Sequence, residues 1–151
     1  IGAWCLMPNH FHILLKEEIE NGITRFMRKL GVGYSMYFNI KYQRTGSLFG
    51  GVFKSKNISD DRYLKHLFGY ISLNPLDLQF SEWERLVDKQ DSKIWRDFLK
   101  KYQFSSFFDY TGIERCENNI LNKKVFPQYF SKQKAFEDFV ESYLSFEPKT
   151  S

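Results

Sequence analysis

Alternation opens the chain. Ile1, Ala3, Cys5 and Met7 fall on one face of an extended segment, with Trp4 and Leu6 on the other. Pro8-Asn9 is a turn dipeptide, after which His10, Phe11, His12, Ile13, Leu14 and Leu15 read as a second strand. The short link between them predicts an antiparallel hairpin. Glu17, Glu18, Glu20 and Asn21 make a polar break, with Asn21 placed to cap a helix. From Gly22 to Lys41 the spacing changes: Ile23, Phe26, Met27, Leu30, Tyr34, Tyr37 and Ile40 recur with a helical period. Arg25, Arg28 and Lys29 flank that stripe. Gly31 and Gly33 weaken the middle of this helix by about 1 kcal/mol each and mark either close packing or a kink.

Arg44-Thr45-Gly46 is a turn, and residues 48–56 read as a strand or hairpin with Gly50-Gly51 as a bend. Ser59-Asp60-Asp61 is a helix start, since a short oxygen-bearing side chain caps the free amides and acids suit the positive end. This helix should run to Leu73 and stop at Asn74-Pro75. Residues 76–92 are polar, with a helical turn expected at 81–86, and a short helix follows at 93–101. An aromatic loop punctuated by Ser105-Ser106 and Gly112 leads to helices at 114–123 and 132–145. The last of these carries Phe136, Phe139, Val140 and Tyr143 on one face, and the final six residues should fray. No internal repeat, low-complexity tract or clean linker is visible; the best boundary lies near residue 78.

Composition narrows the class. The 151 residues make one domain, or one domain and a tail. At 42% hydrophobic and 19% aromatic the chain is too apolar for disorder. It contains no apolar run long enough to span a membrane and no recognisable signal peptide. It opens at Ile1, already in a strand, so the domain is expected to begin upstream. The 22 Lys and Arg outnumber the 18 Asp and Glu, and a net charge of +4 permits an anionic partner without demanding one. Cys5 and Cys116 form neither a CxxC pair nor a disulfide framework, which fits a reducing, cytoplasmic setting, with Cys5 a buried small hydrophobe.

Three groups of residues could do chemistry. His10 and His12 are two apart in a strand, so both imidazoles project from one face and could hold one metal ion. They could equally be two satisfied histidines without a ligand. His66, Tyr70 and Asn74 are spaced by four on one helix face, placing a tyrosine one turn from an amide oxygen. The plainer alternative is a packed tyrosine and an Asn cap before Pro75, with Tyr63 extending a structural tyrosine stripe. A phenol, with its pKa near 10, needs a metal or base to become a nucleophile. Lastly, Lys41, Arg44, Lys54 and Lys56 surround Tyr42, Phe49 and Phe53. Such interleaving suits single-stranded nucleic acid, where bases stack on rings and cations meet phosphates, and it also describes a solvated hairpin with a packed aromatic face.

Taken together, these segments resemble a known family. Trp4-Cys5-Leu6-Met7-Pro8-Asn9-His10-Phe11-His12-Ile13-Leu14-Leu15 is similar to the His-hydrophobic-His (HUH) signature of single-tyrosine transposases, in particular the REP-associated tyrosine transposases and the smallest insertion-sequence transposases. Residues 45–55 resemble the family's Gly-aromatic-basic hairpin, 70–75 its tyrosine-bearing helix end, and 105–110 its Ser-Ser-aromatic segment. The resemblance is specific over residues 3–75 and looser to about residue 143.

The resemblance implies an α+β, ferredoxin-like antiparallel sheet with helices on one face. Residues 1–78 would form the HUH core, apparently without its N-terminal strand and helix, and 79–151 a mostly helical extension. It further implies that His10, His12 and Asn74 hold a divalent cation, Mg²⁺ or Mn²⁺, and that Tyr70 attacks DNA to give a 5′-phosphotyrosine and a free 3′-OH. The substrate would be single-stranded DNA near a hairpin or palindrome in a prokaryotic cell, in the cytoplasm and at the nucleoid, with monomer and homodimer both open. Lys41, Arg44, Lys54, Lys56 and Phe53 would supply DNA contacts. Two positions depart from the pattern: Val52 stands where the family often carries Arg, and Asp77 where it usually carries a basic residue. A catalytically weak, domesticated hairpin-DNA-binding relative with a regulatory role is the alternative. A metal-dependent hydrolase using His10, His12 and water is a third reading.

Overall fold

The computed structural model describes residues 1–80, 92–130 and 132–144. By packing, the chain forms two compact units, Lys16–Ile58 and the combination of Ile1–Leu15 with Ser59–Ser151. The boundary expected near residue 78 falls inside the second of these units. The fold class is α+β, as expected.

In the larger unit, β1 (Ala3–Leu6) pairs antiparallel with β2 (Phe11–Leu14), in the register Ala3–Leu14, Trp4–Ile13, Cys5–His12, Leu6–Phe11. The Met7 amide donates to the His10 carbonyl at 2.8 Å and closes the turn. The other edge of β1 is covered by residues from far along the chain. The Leu6 amide donates to the Phe104 carbonyl, and the Ser106 amide to the Trp4 carbonyl, both at 2.8 Å, with Cys5 bridged to Ser105. The Ser106 hydroxyl accepts from the Trp4 amide at 3.0 Å. The Ser-Ser segment is therefore a pairing partner of β1.

The tyrosine helix, α2 (Asp61–Leu73), begins where the acids predict: the Asp60 carboxylate accepts from the Tyr63 amide at 2.6 Å. It ends at a proline, whose ring removes the next amide donor, and the chain tightens into a 3₁₀ turn over Asn74–Leu78. One face of α2 buries Phe68, Ile71 and Leu73 in a core that also holds Ala3, Cys5, Leu14, Leu76, Trp95, Leu99, Phe107, Phe136 and Val140. The further helices of this unit are α3 (Ser92–Leu99), the short α4 (Phe107–Tyr110) and α5 (Gln133–Leu144). Phe136 is fully buried and stacks on Tyr110 with centroids 4.9 Å apart. Arg115 ties the 103–109 region together: its guanidinium grips both oxygens of buried Asp109 and donates to the Gln103 and Ser105 carbonyls.

In the smaller unit, α1 (Gly22–Lys41) is continuous through Gly31 and Gly33, and among the described residues none outside the helix's own backbone comes within 4 Å of where their Cβ atoms would stand. Four local expectations need correction. Asn21 precedes α1 but adopts a left-handed backbone (φ 58°) and makes no side-chain cap bond. Residues 48–56 form no strand, because an alternating segment stays irregular unless a partner supplies its ladder. The region 114–123 is not one α-helix but 3₁₀ turns at Cys116–Ile120 and Lys123–Val125. The aromatic loop contains α4. The turn expected at 81–86 lies outside the described residues. Among the described residues, no helix is long and apolar enough to cross a membrane.

Candidate active site

The hairpin register puts His10 and His12 on one face, and their rings meet edge to face with centroids 5.0 Å apart. The two Nε2 atoms converge to 3.1 Å. The Asn9 side-chain oxygen lies 2.7 Å from His10 Nδ1. If that nitrogen carries the proton, it donates to Asn9 and leaves the His10 Nε2 lone pair to accept from His12 Nε2–H. The same orientation suits a cation: two imidazole nitrogens bound at right angles at about 2.1–2.2 Å would stand about 3.0 Å apart. The His12 imidazole titrates below the ordinary histidine range. Burial is the main cause and the neighbouring His10 charge the second, with the Asp77 carboxylate opposing both. His12 therefore favours its neutral form, in which one of its two ring nitrogens keeps a lone pair.

Tyr70 is half-buried on α2, and its ring meets that of His12 at 5.8 Å and 84°. Its phenol oxygen has no hydrogen bond among the described residues. Asn74, one turn later and 2% exposed, uses its amide nitrogen to donate to the Tyr70 carbonyl at 2.7 Å, as does its backbone amide. The capping role open in the sequence is thus filled by Nδ2, and the amide oxygen is the atom that could serve a cation. Among the described residues no three His, Cys, Asp or Glu side chains gather around one point, so a cation held by the imidazole pair would need a third ligand of another kind.

The structure brings His10, His12 and Tyr70 together and ties Asn74 to the tyrosine through its carbonyl. The basic candidates lie in the Lys16–Ile58 unit. There, Lys41 donates to the Tyr37 hydroxyl at 3.1 Å and lies over the Tyr37 and Tyr42 rings, which raises its pKa. Arg44 lies over Phe38, whereas Lys54, Lys56 and Phe53 sit in the irregular segment. Two residues of the site carried no role in the sequence reading. Asn9 read only as a turn residue, although its place beside the His pair is a usable signal. Asp77 read only as a departure from the family, and its influence on His12 depends on the 3₁₀ turn.

Residues 1–74 match the family model described as "Transposase IS200 like". No curated protein and no solved structure matches the chain. The matched segment contains the hairpin with both imidazoles and the whole tyrosine helix to Asn74. By that match, residues 1–74 are similar to the IS200-like transposases.

Proposed function

We propose that this protein cleaves and rejoins single-stranded or hairpin DNA through a 5′-phosphotyrosine at Tyr70. The observation that carries the reading is the convergence of His10 and His12 Nε2 to 3.1 Å, with the Tyr70 ring against His12. His10, His12 and the Asn74 amide oxygen would hold Mg²⁺ or Mn²⁺. Such an ion polarises the scissile phosphate and offsets its charge. The Tyr70 oxygen forms a bond to phosphorus and gives up its proton, while the bond from phosphorus to the 3′ oxygen breaks and that oxygen leaves as a hydroxyl. The ester bond is kept on the tyrosine, so a 3′-OH can reverse the step. Asn9 orients His10, and Asn74 holds the end of α2. Residues 1–78 act as the catalytic core, 79–151 as its helical extension, and the site of action is the cytoplasm at the nucleoid.

One observation favours a second reading, a hairpin-DNA-binding regulator without cleavage. Asp77 places a negative charge within electrostatic reach of His12, and such a charge repels phosphate. A labelled hairpin with single-stranded flanks, incubated with the chain and Mn²⁺ and run on a denaturing gel, separates the two. The cleavage reading expects a covalent adduct that disappears in Tyr70→Phe and His10→Ala. DNA binding with no adduct would leave the regulator. Turnover that survives Tyr70→Phe would point to hydrolysis by water.

A further inference from the structure

His66 has no part in the chemistry above, yet it is built into the surroundings of Tyr70. The two residues stand one turn apart on α2, with rings nearly parallel (12°) and centroids 6.5 Å apart. On its other side His66 stacks with Tyr63 at 5.9 Å and 16°. Its Nε2 is hydrogen-bonded to the Tyr143 hydroxyl of α5 at 2.9 Å, and the two rings touch. The anchor comes from 77 residues away.

The approach of α5 is close. Gly69 immediately precedes Tyr70, and a Cβ there would stand 2.9 Å from Tyr143 Cδ2 and 3.0 Å from Phe139 Cε1. Lys65 lies over the Phe139 ring at 5.4 Å, a further contact between the two helices. Tyr70 therefore neighbours both His12 of β2, edge to face, and His66, with the two rings nearly parallel. No hydrogen bond joins His66 to the Tyr70 phenol, so its geometry is that of a support rather than of a proton acceptor.

We propose that His66 is a positioning residue for the Tyr70 nucleophile: gripped by Tyr143, its ring confines Tyr70 against His12, so the C-terminal helix sets the nucleophile's aim. The proposal rests on the cleavage reading and deepens it. A phenol on a half-buried helix face has several rotamers, and only those that direct oxygen past His12 are productive. Misplacement by about 1 Å is enough to slow such a step by about 100-fold.

The test has two arms on the full chain. In the first, 3-fluorotyrosine is incorporated and the Tyr70 resonance, assigned with Tyr70→Phe, is followed by ¹⁹F NMR. Tyr143→Phe keeps the ring and removes only the hydroxyl. The Tyr70 signal should move or broaden in that variant, and an unmoved signal overturns the proposal whether or not DNA is cleaved. In the second, the adduct rate is measured at saturating hairpin DNA and Mn²⁺, with DNA affinity and the melting temperature alongside. Tyr143→Phe and His66→Ala should each slow the adduct at least about tenfold, with affinity and melting temperature unchanged. His66→Phe should recover part of the rate by restoring a flat ring. The double variant Tyr143→Phe/His66→Ala should be no slower than His66→Ala alone, because both act through one path. Parent-like rates, or losses that track DNA affinity or melting, overturn the proposal. If the Tyr70 signal shifts in Tyr143→Phe but the parent chain forms no adduct, the cleavage reading is overturned and the coupling is supported.

Discussion

The Nε2 atoms of His10 and His12 face each other at 3.1 Å, with the Asn9 side-chain oxygen 2.7 Å behind the first ring. On the proposed function, the pair would hold a cation by two nitrogens. Mn²⁺ titrated into the chain, followed by calorimetry or electron paramagnetic resonance, should bind. His12→Ala should abolish measurable binding, and Asn9→Ala should weaken it about tenfold by freeing the His10 ring. Undiminished binding in His12→Ala would place the ion elsewhere.

The burial of His12 has a sign. Its folded form resists protonation relative to an ordinary histidine near 6.5, so the unfolded chain takes up that proton first. Stability from this group is present above the ordinary histidine range and lost as pH falls through it. In an NMR titration the His12 ring should titrate below that range. A midpoint at or above 6.5 would contradict the burial.

Arg115 and Asp109 form a buried ion pair in the larger unit, with side-chain exposures of 13% and 0%. The guanidinium also lies over the Trp4 and Phe108 rings. Arg115→Ala leaves a buried carboxylate without its partner and frees the Gln103 and Ser105 carbonyls. Denaturant unfolding should show a loss of about 3 kcal/mol, the ordinary cost of breaking a buried pair from one side. A change under 1 kcal/mol would mean that water replaces the contacts.

The two thiols should behave oppositely. Cys5 is fully buried, and burial pushes its pKa up to about 12, with Asp77 adding to the rise. Cys116 is exposed, although its bond to Glu117 also raises its pKa. Iodoacetamide at pH 8.5, read by peptide mass spectrometry, should modify Cys116 and spare Cys5. Equal labelling would show that β1 opens readily.

The elements read best from the chain were those whose cause is local. Asp60 caps α2 because a carboxylate reaches the amide three residues on, and Pro75 ends the helix because it lacks a donor. The hairpin followed from alternation around Pro8-Asn9. Residues 48–56 show the limit: a strand-like pattern is completed only by a partner, and none pairs with it among the described residues. Asn21 shows another, since a good capping residue at the right place turned left-handed, and the Glu17 carboxylate accepts from the Ile23 amide at 3.3 Å instead.

For the candidate site, the chain by itself determined that His10 and His12 share a strand face, and that His66, Tyr70 and Asn74 share a helix face. Those are consequences of a period of two and a period near four, which the backbone imposes wherever the element forms. Only the tertiary structure decided that the two faces meet at His12 and Tyr70. It alone brought residues 104–106 to the open edge of β1, Tyr143 to His66, and Asp77 into the field of His12. Such contacts join segments far apart in the chain, and their geometry comes from packing one shared core rather than from the spacing of the residues that make them.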